Sequence, residues 1–411
     1  MTATKRLHLV EPHPLEFDAE IIAVSAHAGS PSVVLDQTSF YAEGGGQLGD
    51  RGALVVAGAS LAVVDVQLDD EGRVHHVLDA ALPATVVAGA RARGAVERAR
   101  RRDHRSQHSG QHVLSAALAS ECGAATVSSR LGAAESTIDL AIELSPDAVA
   151  RAVALANEIV LEDREIRVLF PTSEELPVLG LRRDPKVATG VRVIDVDGFD
   201  RSPCGGTHCA RTGEIGPVVV TSSARYKGGT RIVFLAGRRA LDEQVATRAT
   251  LSALAREFSC GLGDVPAAVA ALRRERDDRA VALASTRAEL GRSAARAALS
   301  ALGAGRPAVA YVVLDGDDTA ALRVAAAELA RAPGVVGLAL GRARSGELAL
   351  VVERGAVTAL DAGAWLRAFT SARGGRGGGR AERAEGRLGA DVPPEEVADA
   401  LSSRVEGAPS A

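Results

Sequence analysis

Asp103–Gly123 reads DHRSQHSGQHVLSAALASECG, and this stretch decides what surrounds it. Val113, Leu114, Ala117 and Leu118 recur at helical spacing, Asp103 offers an N-cap oxygen, and Gly123 supplies a C-terminal stop. The neighbours on either side follow a different period. Upstream, HLVEPH, AEIIAVSAH, PSVVLDQTSFYAEGGGQLGDRGALVVAG, ASLAVVDVQLD and GRVHHVLD are short runs rich in Val and Ile, punctuated by Gly and Asp. They predict a small antiparallel sheet or barrel over residues 1–95. Downstream, STIDLAIEL, REIRVLF and VRVIDVDGF read as strands, and EIGPVVVTSSARY is expected to pair with RIVFLAG. SPDAVARAVALANEIVLED reads as a helix capped by Ser145, with Pro146 in its first turn. Residues 96–238 therefore form an α+β unit around the central helix.

Further outward the pattern changes twice. Residues 239–304 are Ala/Arg/Glu/Leu-rich and helical, interrupted near Gly261 and Pro266, as in a hairpin or arm. A spacer and a dimer contact are both readings of it. Residues 305–411 return to an α/β pattern: AVAYVVLDG, GVVGLALGR and LALVVERG as strands, DTAALRVAAAELARA and DAGAWLRAFTSA as helices, then GGRGGGR, then a helix near 394–404. At 411 residues, 46% hydrophobic and 24% charged, the chain can bury ordinary cores in several domains; aromatics are 3%, so those cores are Ala, Val and Leu. The net charge of −4 excludes bulk attraction to nucleic acid and leaves only local basic patches. The densest patch is RARGAVERARRRDHR, 91–105, either a solvated approach to the helix or a phosphate-contact surface. Four cysteines make no disulfide scaffold. No run approaches 18 apolar residues. The chain reads as soluble and cytoplasmic, without a membrane segment.

Two separated pairs carry chemistry. His108 and His112, in HSGQH, lie four apart on one helix face, where two imidazoles can converge on an ion. Cys204 and His208, in SPCGGTHCA, are also four apart, but Pro203, Gly205 and Gly206 make this a loop. Each pair alone has a bland reading: unrelated helical histidines, and a tight turn with an inert thiol. Together they offer His/His/Cys/His, a ligand set suited to Zn2+. The wide gap between the pairs excludes a zinc finger, and Ser109 stands where a zincin carries glutamate. Four protein ligands usually mark a closed site, whereas a catalytic one keeps a position open. Cys209 reads as a small hydrophobe. A third element, Thr38–Gly52, holds Gly44, Gly45 and Gly46 in a row, suited either to a hairpin turn or to close approach of a ligand.

In this order, FYAEGGGQLGD, HSGQH and CGGTHCA, followed by TGEIG and KGGTRI, closely resemble the alanyl-tRNA editing family. That family occurs as the editing domain of alanyl-tRNA synthetases and as freestanding AlaX-type proteins. SARGGRGGGRAERAEGRL, 371–388, resembles the glycine-rich signature of the C-terminal DHHA1 domain, so the whole chain resembles a long AlaX. With the Gly-rich element beginning near residue 38, the expectation is a chain without a synthetase core and with ATP-independent chemistry. Two departures stand out: Gln111 replaces the Thr of H-x-A-T-H, and Ser128, Ser129 and Arg130 stand where synthetases tend to carry a Gln.

The resemblance implies an α+β chain with a small β-barrel-like domain, an α+β zinc-containing editing domain, a helical arm and an α/β DHHA1-like domain that binds tRNA. It implies one Zn2+ per chain on His108, His112, Cys204 and His208. The activity implied is hydrolysis, in trans, of the ester of tRNA(Ala) mischarged with Ser or Gly; a pocket discriminates one small group by only about 1–3 kcal/mol, so synthesis alone admits such errors. Thr38 resembles the threonine that bonds the serine hydroxyl. Gln47 and the Gly44–Gly46 backbone would shape the pocket, Glu43 is the nearest carboxylate, and Arg376, Gly377, Gly378 and Arg380 of a GGRGGGR loop would meet phosphates. The arm or the C-terminal domain would carry a homodimer. The alternative is a zinc-containing tRNA-binding protein without hydrolytic activity.

Overall fold

The computed structural model describes residues 3–9, 14–185, 187, 189–302, 308–356 and 358–406. It divides into two compact units, Met1–Ala253 and Leu254–Ala411.

The first unit opens with β1 (Lys5–Arg6), β2 (Glu16–His27), β3 (Ser30–Leu35), β4 (Gln37–Thr38), β5 (Gly52–Val56), β6 (Ala59–Leu68), β7 (Val74–Leu78) and β8 (Arg91–Val96). Six of these close a barrel in the order β2-β3-β7-β6-β5-β8, and β1 pairs with β4 beside it. Alternate side chains point inward, so Phe17, Ile21, Val33, Leu35, Phe40, Leu54 and Val66 fill the interior. HLVEPH is not a strand where it is described: Leu7–Leu9 is a single 3-10 turn, and 10–13 lie outside the described residues.

Helix α1 (Arg98–Cys122) leads into the second lobe, with β9 (Thr126–Leu131), β10 (Ser136–Leu140), α2 (Pro146–Leu161), β11 (Ile166–Leu169), β12 (Val193–Val196), β13 (Asp200–Pro203), β14 (Val218–Tyr226) and β15 (Gly229–Ala236). The sheets run β14-β15-β10-β9 and β11-β12-β13. The expected pairing of β14 with β15 is antiparallel. Ser145 caps α2 by accepting from the Ala148 N–H at 3.3 Å. Val113, Leu114 and Leu118 of α1 pack with Ile138, Ile159, Ile194, Ile232 and Phe234.

Helix α1 begins five residues before the predicted cap. Its first turn is held from outside: Arg101 forms a fully buried ion pair with Asp50 and donates to Ser39 O at 2.6 Å, while Arg100 donates to Gly49 O at 2.9 Å. Asp103 does not cap; it binds Arg239 at 2.8 Å. The basic stretch is therefore divided. Arg91 and Arg93 lie exposed on β8, and Arg98 and Arg102 are exposed on α1, but Arg101 ties the helix to the glycine-rich segment.

Helix α3 (Gly237–Glu257) crosses the division between the units. In the second unit, α4 (Val265–Ser300) follows a 3-10 turn at Leu262–Asp264 and carries Pro266 in its first turn. Then come β16 (Ala308–Asp315), α5 (Thr319–Leu329), β17 (Val335–Arg342), β18 (Leu348–Arg354), α6 (Ala362–Ser371), β19 (Arg376–Gly379), β20 (Arg383–Leu388) and α7 (Pro394–Glu406). The sheet order is β16-β17-β18-β20-β19, with only β16 and β17 parallel. One face packs on α6 and α7 through Leu366, Phe369, Val397 and Leu401; the other packs on α4 and α5 through Ala295, Leu322, Ala326 and Leu329.

The GGRGGGR segment is not a loop. Arg376–Gly379 is the edge strand β19, paired antiparallel with β20. Its glycines serve packing: a Cβ on Gly363 of α6 would lie 2.5 Å from Gly379 O, so helix and strand touch backbone to backbone. Arg376 and Arg380 remain exposed. None of the described helices is long and apolar enough to cross a membrane.

Candidate metal centre

Helix α1 presents His108 and His112 one turn apart on its buried face, and the loop after β13 presents Cys204 and His208. Among the described residues these four alone gather as a group able to hold a metal ion. One ligand atom from each lies within 4.8 Å of the others, and only Cys204 is partly exposed. Cys204 Sγ is 3.3 Å from His108 Nε2 and 3.4 Å from His208 Nε2. A tetrahedral zinc, with Zn–S near ~2.3 Å and Zn–N near ~2.0–2.1 Å, separates sulfur and nitrogen ligands by about 3.5 Å. The donor set and its spacing fit zinc.

Each imidazole is oriented through its other nitrogen. His108 Nδ1–H donates to Gln47 Oε1 at 2.7 Å. His208 Nδ1 is 3.3 Å from Ser109 Oγ, which also accepts from the Cys209 N–H at 3.0 Å. His112 Nδ1 lies 3.7 Å from Asp200 Oδ2. The outer partners of His108 and His208 turn those Nε2 atoms inward, as metal-bound histidines require, while Asp200 faces His112 Nδ1 as an ion-pair contact beyond hydrogen-bond distance. Burial opposes a charged sulfur, but the His108 and His208 imidazoles outweigh it and hold the Cys204 thiol well below its ordinary range. The Gly206 N–H adds a contact to Cys204 Sγ at 3.4 Å. Burial drives His208 well below the usual histidine value, which keeps it neutral. Burial would raise Asp200, yet His112 and Arg182 hold its carboxyl down at about 2. Burial would lower His112, but Asp200 and Cys204 outweigh it and hold that imidazole above its usual value; a metal takes its ligands as a deprotonated thiol and neutral imidazoles.

The loop is shaped around His108. A Cβ on Gly206 would fall 2.1 Å from His108 Cε1 and 2.4 Å from Nδ1, whereas one on Gly205 would meet nothing within 4 Å. Arg192, buried, donates to the carbonyls of Cys204 at 2.8 Å and Gly206 at 2.9 Å. Cys209 lies in the apolar core, where burial pushes its thiol up to about 12.

The glycine-rich segment reaches the same place. Gly44 and Gln47 bond each other's backbones at 3.1 and 3.0 Å across a tight turn, with Gly45 and Gly46 at φ +58° and +86°. The turn and the close approach are both real: the Leu131 N–H donates to Gly46 O at 2.8 Å, and a Cβ on Gly46 would strike Ser129 O at 2.7 Å. Of the residues expected to act here, Gln47 is buried against His108. Glu43 is exposed, with Gln67 Nε2 at 3.5 Å. Thr38 is bonded to His76. Fully buried, its hydroxyl lies 2.8 Å from His76 Nε2 and accepts from the Phe40 N–H at 3.1 Å. His76 Nδ1 is committed to Val33 O at 3.1 Å, so the threonine hydrogen goes to His76 inside the barrel. Asp200, Ser109, Thr207 and Arg192 escaped the sequence reading. Ser109 and Thr207 stand inside the two motifs and Arg192 and Asp200 upstream of the second, which does not say which way they point.

Comparison with known proteins now identifies the class. Residues 191–233, which include the Cys204–His208 loop, match the family model of the threonyl and alanyl tRNA synthetase second additional domain, and residues 10–100 match that of class II (A) tRNA synthetases. The alanine–tRNA ligase of Thermococcus kodakarensis is 31% identical over 406 residues, covering 96% of this chain and 43% of the ligase. That of Methanosarcina barkeri is 29% identical, covering 98% and 44%. That of Pyrococcus abyssi is 32% identical over 249 residues, 58% of this chain and 26% of the ligase. A solved C-Ala domain from Aquifex aeolicus alanyl-tRNA synthetase covers 24% of this chain and 91% of its own, at 23% identity and a TM-score of 0.21. The chain is similar to alanine–tRNA ligases along nearly all of its own length, and it spans less than half the length of the ligases it matches.

Proposed function

We propose that this protein hydrolyses the ester of tRNA(Ala) mischarged with serine, and with glycine, acting in trans at one zinc ion per chain. The observation that carries the proposal is the four-ligand cluster formed by α1 and the loop of the matched editing domain. A bound zinc supplies an activated water and polarises the ester carbonyl. The chain's own residues orient and exclude. Gln47 and Ser109 hold the outer nitrogens of His108 and His208, and the Asp200 carboxylate faces that of His112. The aminoacyl end enters on the Cys204 side, where Cys204 is the partly exposed member, Gly205 borders open space, and Gly45 and Gly46 are exposed on the facing hairpin. Thr38, bonded to His76, and Glu43, exposed beside the turn, are the hydroxyl and the carboxylate proposed to serve the substrate end. In the C-terminal unit, Arg376 and Arg380 contact tRNA phosphates while the Gly377 and Gly378 backbone forms the strand edge beside them.

The second reading, a tRNA-binding protein with a closed zinc site, is favoured by the complete four-ligand set. Deacylation of Ser-tRNA(Ala), beside Ala-tRNA(Ala) and Ser-tRNA(Ser), separates the two. Selective loss of serine from tRNA(Ala), abolished in Cys204→Ala, is expected. A folded, zinc-loaded wild type that leaves Ser-tRNA(Ala) intact would overturn the hydrolytic reading.

A further inference from the structure

The Gln47 side chain is 1% exposed and sits on a turn pinned on two sides, by Gly44 and Gln47 bonding each other and by Gly46 O accepting from Leu131. Its amide can lie only one way round. Oε1 accepts from the Thr207 backbone N–H at 3.2 Å and lies 2.7 Å from His108 Nδ1, which can face that oxygen only as an N–H donor. Nε2 donates to Thr207 Oγ1 at 3.0 Å. Turning the amide over would set NH2 against both donors and leave buried groups unsatisfied.

We propose that Gln47 is the positioning residue through which the barrel sets the metal affinity of the centre. By accepting the His108 Nδ1 proton it holds His108 in the tautomer whose Nε2 lone pair faces the ion. By bonding Thr207 it ties that choice to the loop carrying Cys204 and His208. The third attachment is steric: a Cβ on Gly206 would lie 3.1 Å from Gln47 Oε1, so amide, ring and loop are closed on one another. Gln47 is held by these contacts at 1% exposure. It acts through His108, and the Gly44–Gly46 turn exists to deliver it. The inference rests on the zinc reading of the four ligands.

The test is zinc affinity of the full chain, by competition with a chromophoric chelator, for wild type, Gln47→Ala and Gln47→Glu, with Co2+ absorption spectra of the same three proteins. Loss of such an outer partner weakens metal binding by about 10–100-fold. Gln47→Ala is expected to lose affinity in that range, with an altered cobalt spectrum. Gln47→Glu, whose carboxylate accepts the same proton and the Thr207 N–H, is expected to bind at least as tightly as wild type. A folded Gln47→Ala with wild-type affinity and spectrum overturns the proposal. If Gln47→Ala does not fold, Gln47→Glu decides: tenfold weaker binding than wild type overturns it. A wild type that binds no zinc overturns the ligand reading itself; a defect confined to the comparison of variants bears on Gln47 alone.

Discussion

Two neighbouring glycines in one loop allow a sharp experiment. In Gly206→Ala the new methyl falls 2.1 Å from His108 Cε1, about 1.3 Å short of the 3.4 Å at which ordinary contact begins. The obstacle is the ring of a buried ligand, with Gln47 behind it, rather than the free end of a flexible side chain. Either His108 or the loop must move by roughly an ångström, while metal–ligand distances tolerate only about ±0.2 Å. The expected result is loss of one ligand or separation of the two pairs. Overpacking alone costs about 1–3 kcal/mol of stability, and a misplaced ligand weakens zinc binding further than the about 10–100-fold seen on losing an outer partner. In Gly205→Ala the methyl meets nothing within 4 Å, and Gly205 lacks the positive φ that would resist it. Zinc competition and urea unfolding of both variants make the assay. Wild-type zinc binding by Gly206→Ala, or an equal defect in Gly205→Ala, would refute the reasoning.

Further expectations concern stability. Asp50→Ala leaves the fully buried Arg101 without its partner and should cost about 3–5 kcal/mol in urea unfolding; a loss below about 1 kcal/mol would show the pair to be dispensable. Burial, together with Arg100, lowers His104 to about 4, against an ordinary 6.5. The unfolded chain then binds more protons between those values, so this contribution is complete above pH 6.5 and lost as pH falls towards 4, at about 1.4 kcal/mol per unit. The stability gap between wild type and His104→Gln should narrow across that window; a constant gap would contradict it. Gly363→Ala drives a methyl to 2.5 Å from Gly379 O and should lower stability by about 1–3 kcal/mol, read as earlier unfolding of the C-terminal unit; an unchanged midpoint would show that α6 and β19 can separate freely.

What the sequence determined by itself is local. The i, i+4 histidines need only a helix to share a face, the glycines of CGGTH need only a loop, and Ser145-Pro146 starts its helix from its own hydroxyl and ring. Hydrophobic period and turn chemistry were enough for most of the barrel strands and for the pairing of β14 with β15, since both act over a few residues, but not for β8 (Arg91–Val96), which lay in the basic stretch read as an approach to the helix. The tertiary structure decided what depends on partners far along the chain. Helix α1 starts at Arg98 because Arg101 finds Asp50, 51 residues away, and Asp103 is taken by Arg239. Thr38 turns to His76 because β7 lies beside it in the closed barrel. Arg376–Gly379 is a strand because α6 needs a surface without side chains. Gln47 meets His108 only because one glycine turn rests on β9. A hydrogen bond or a close contact selects its partner by position in space, and that position exists only once the chain has folded.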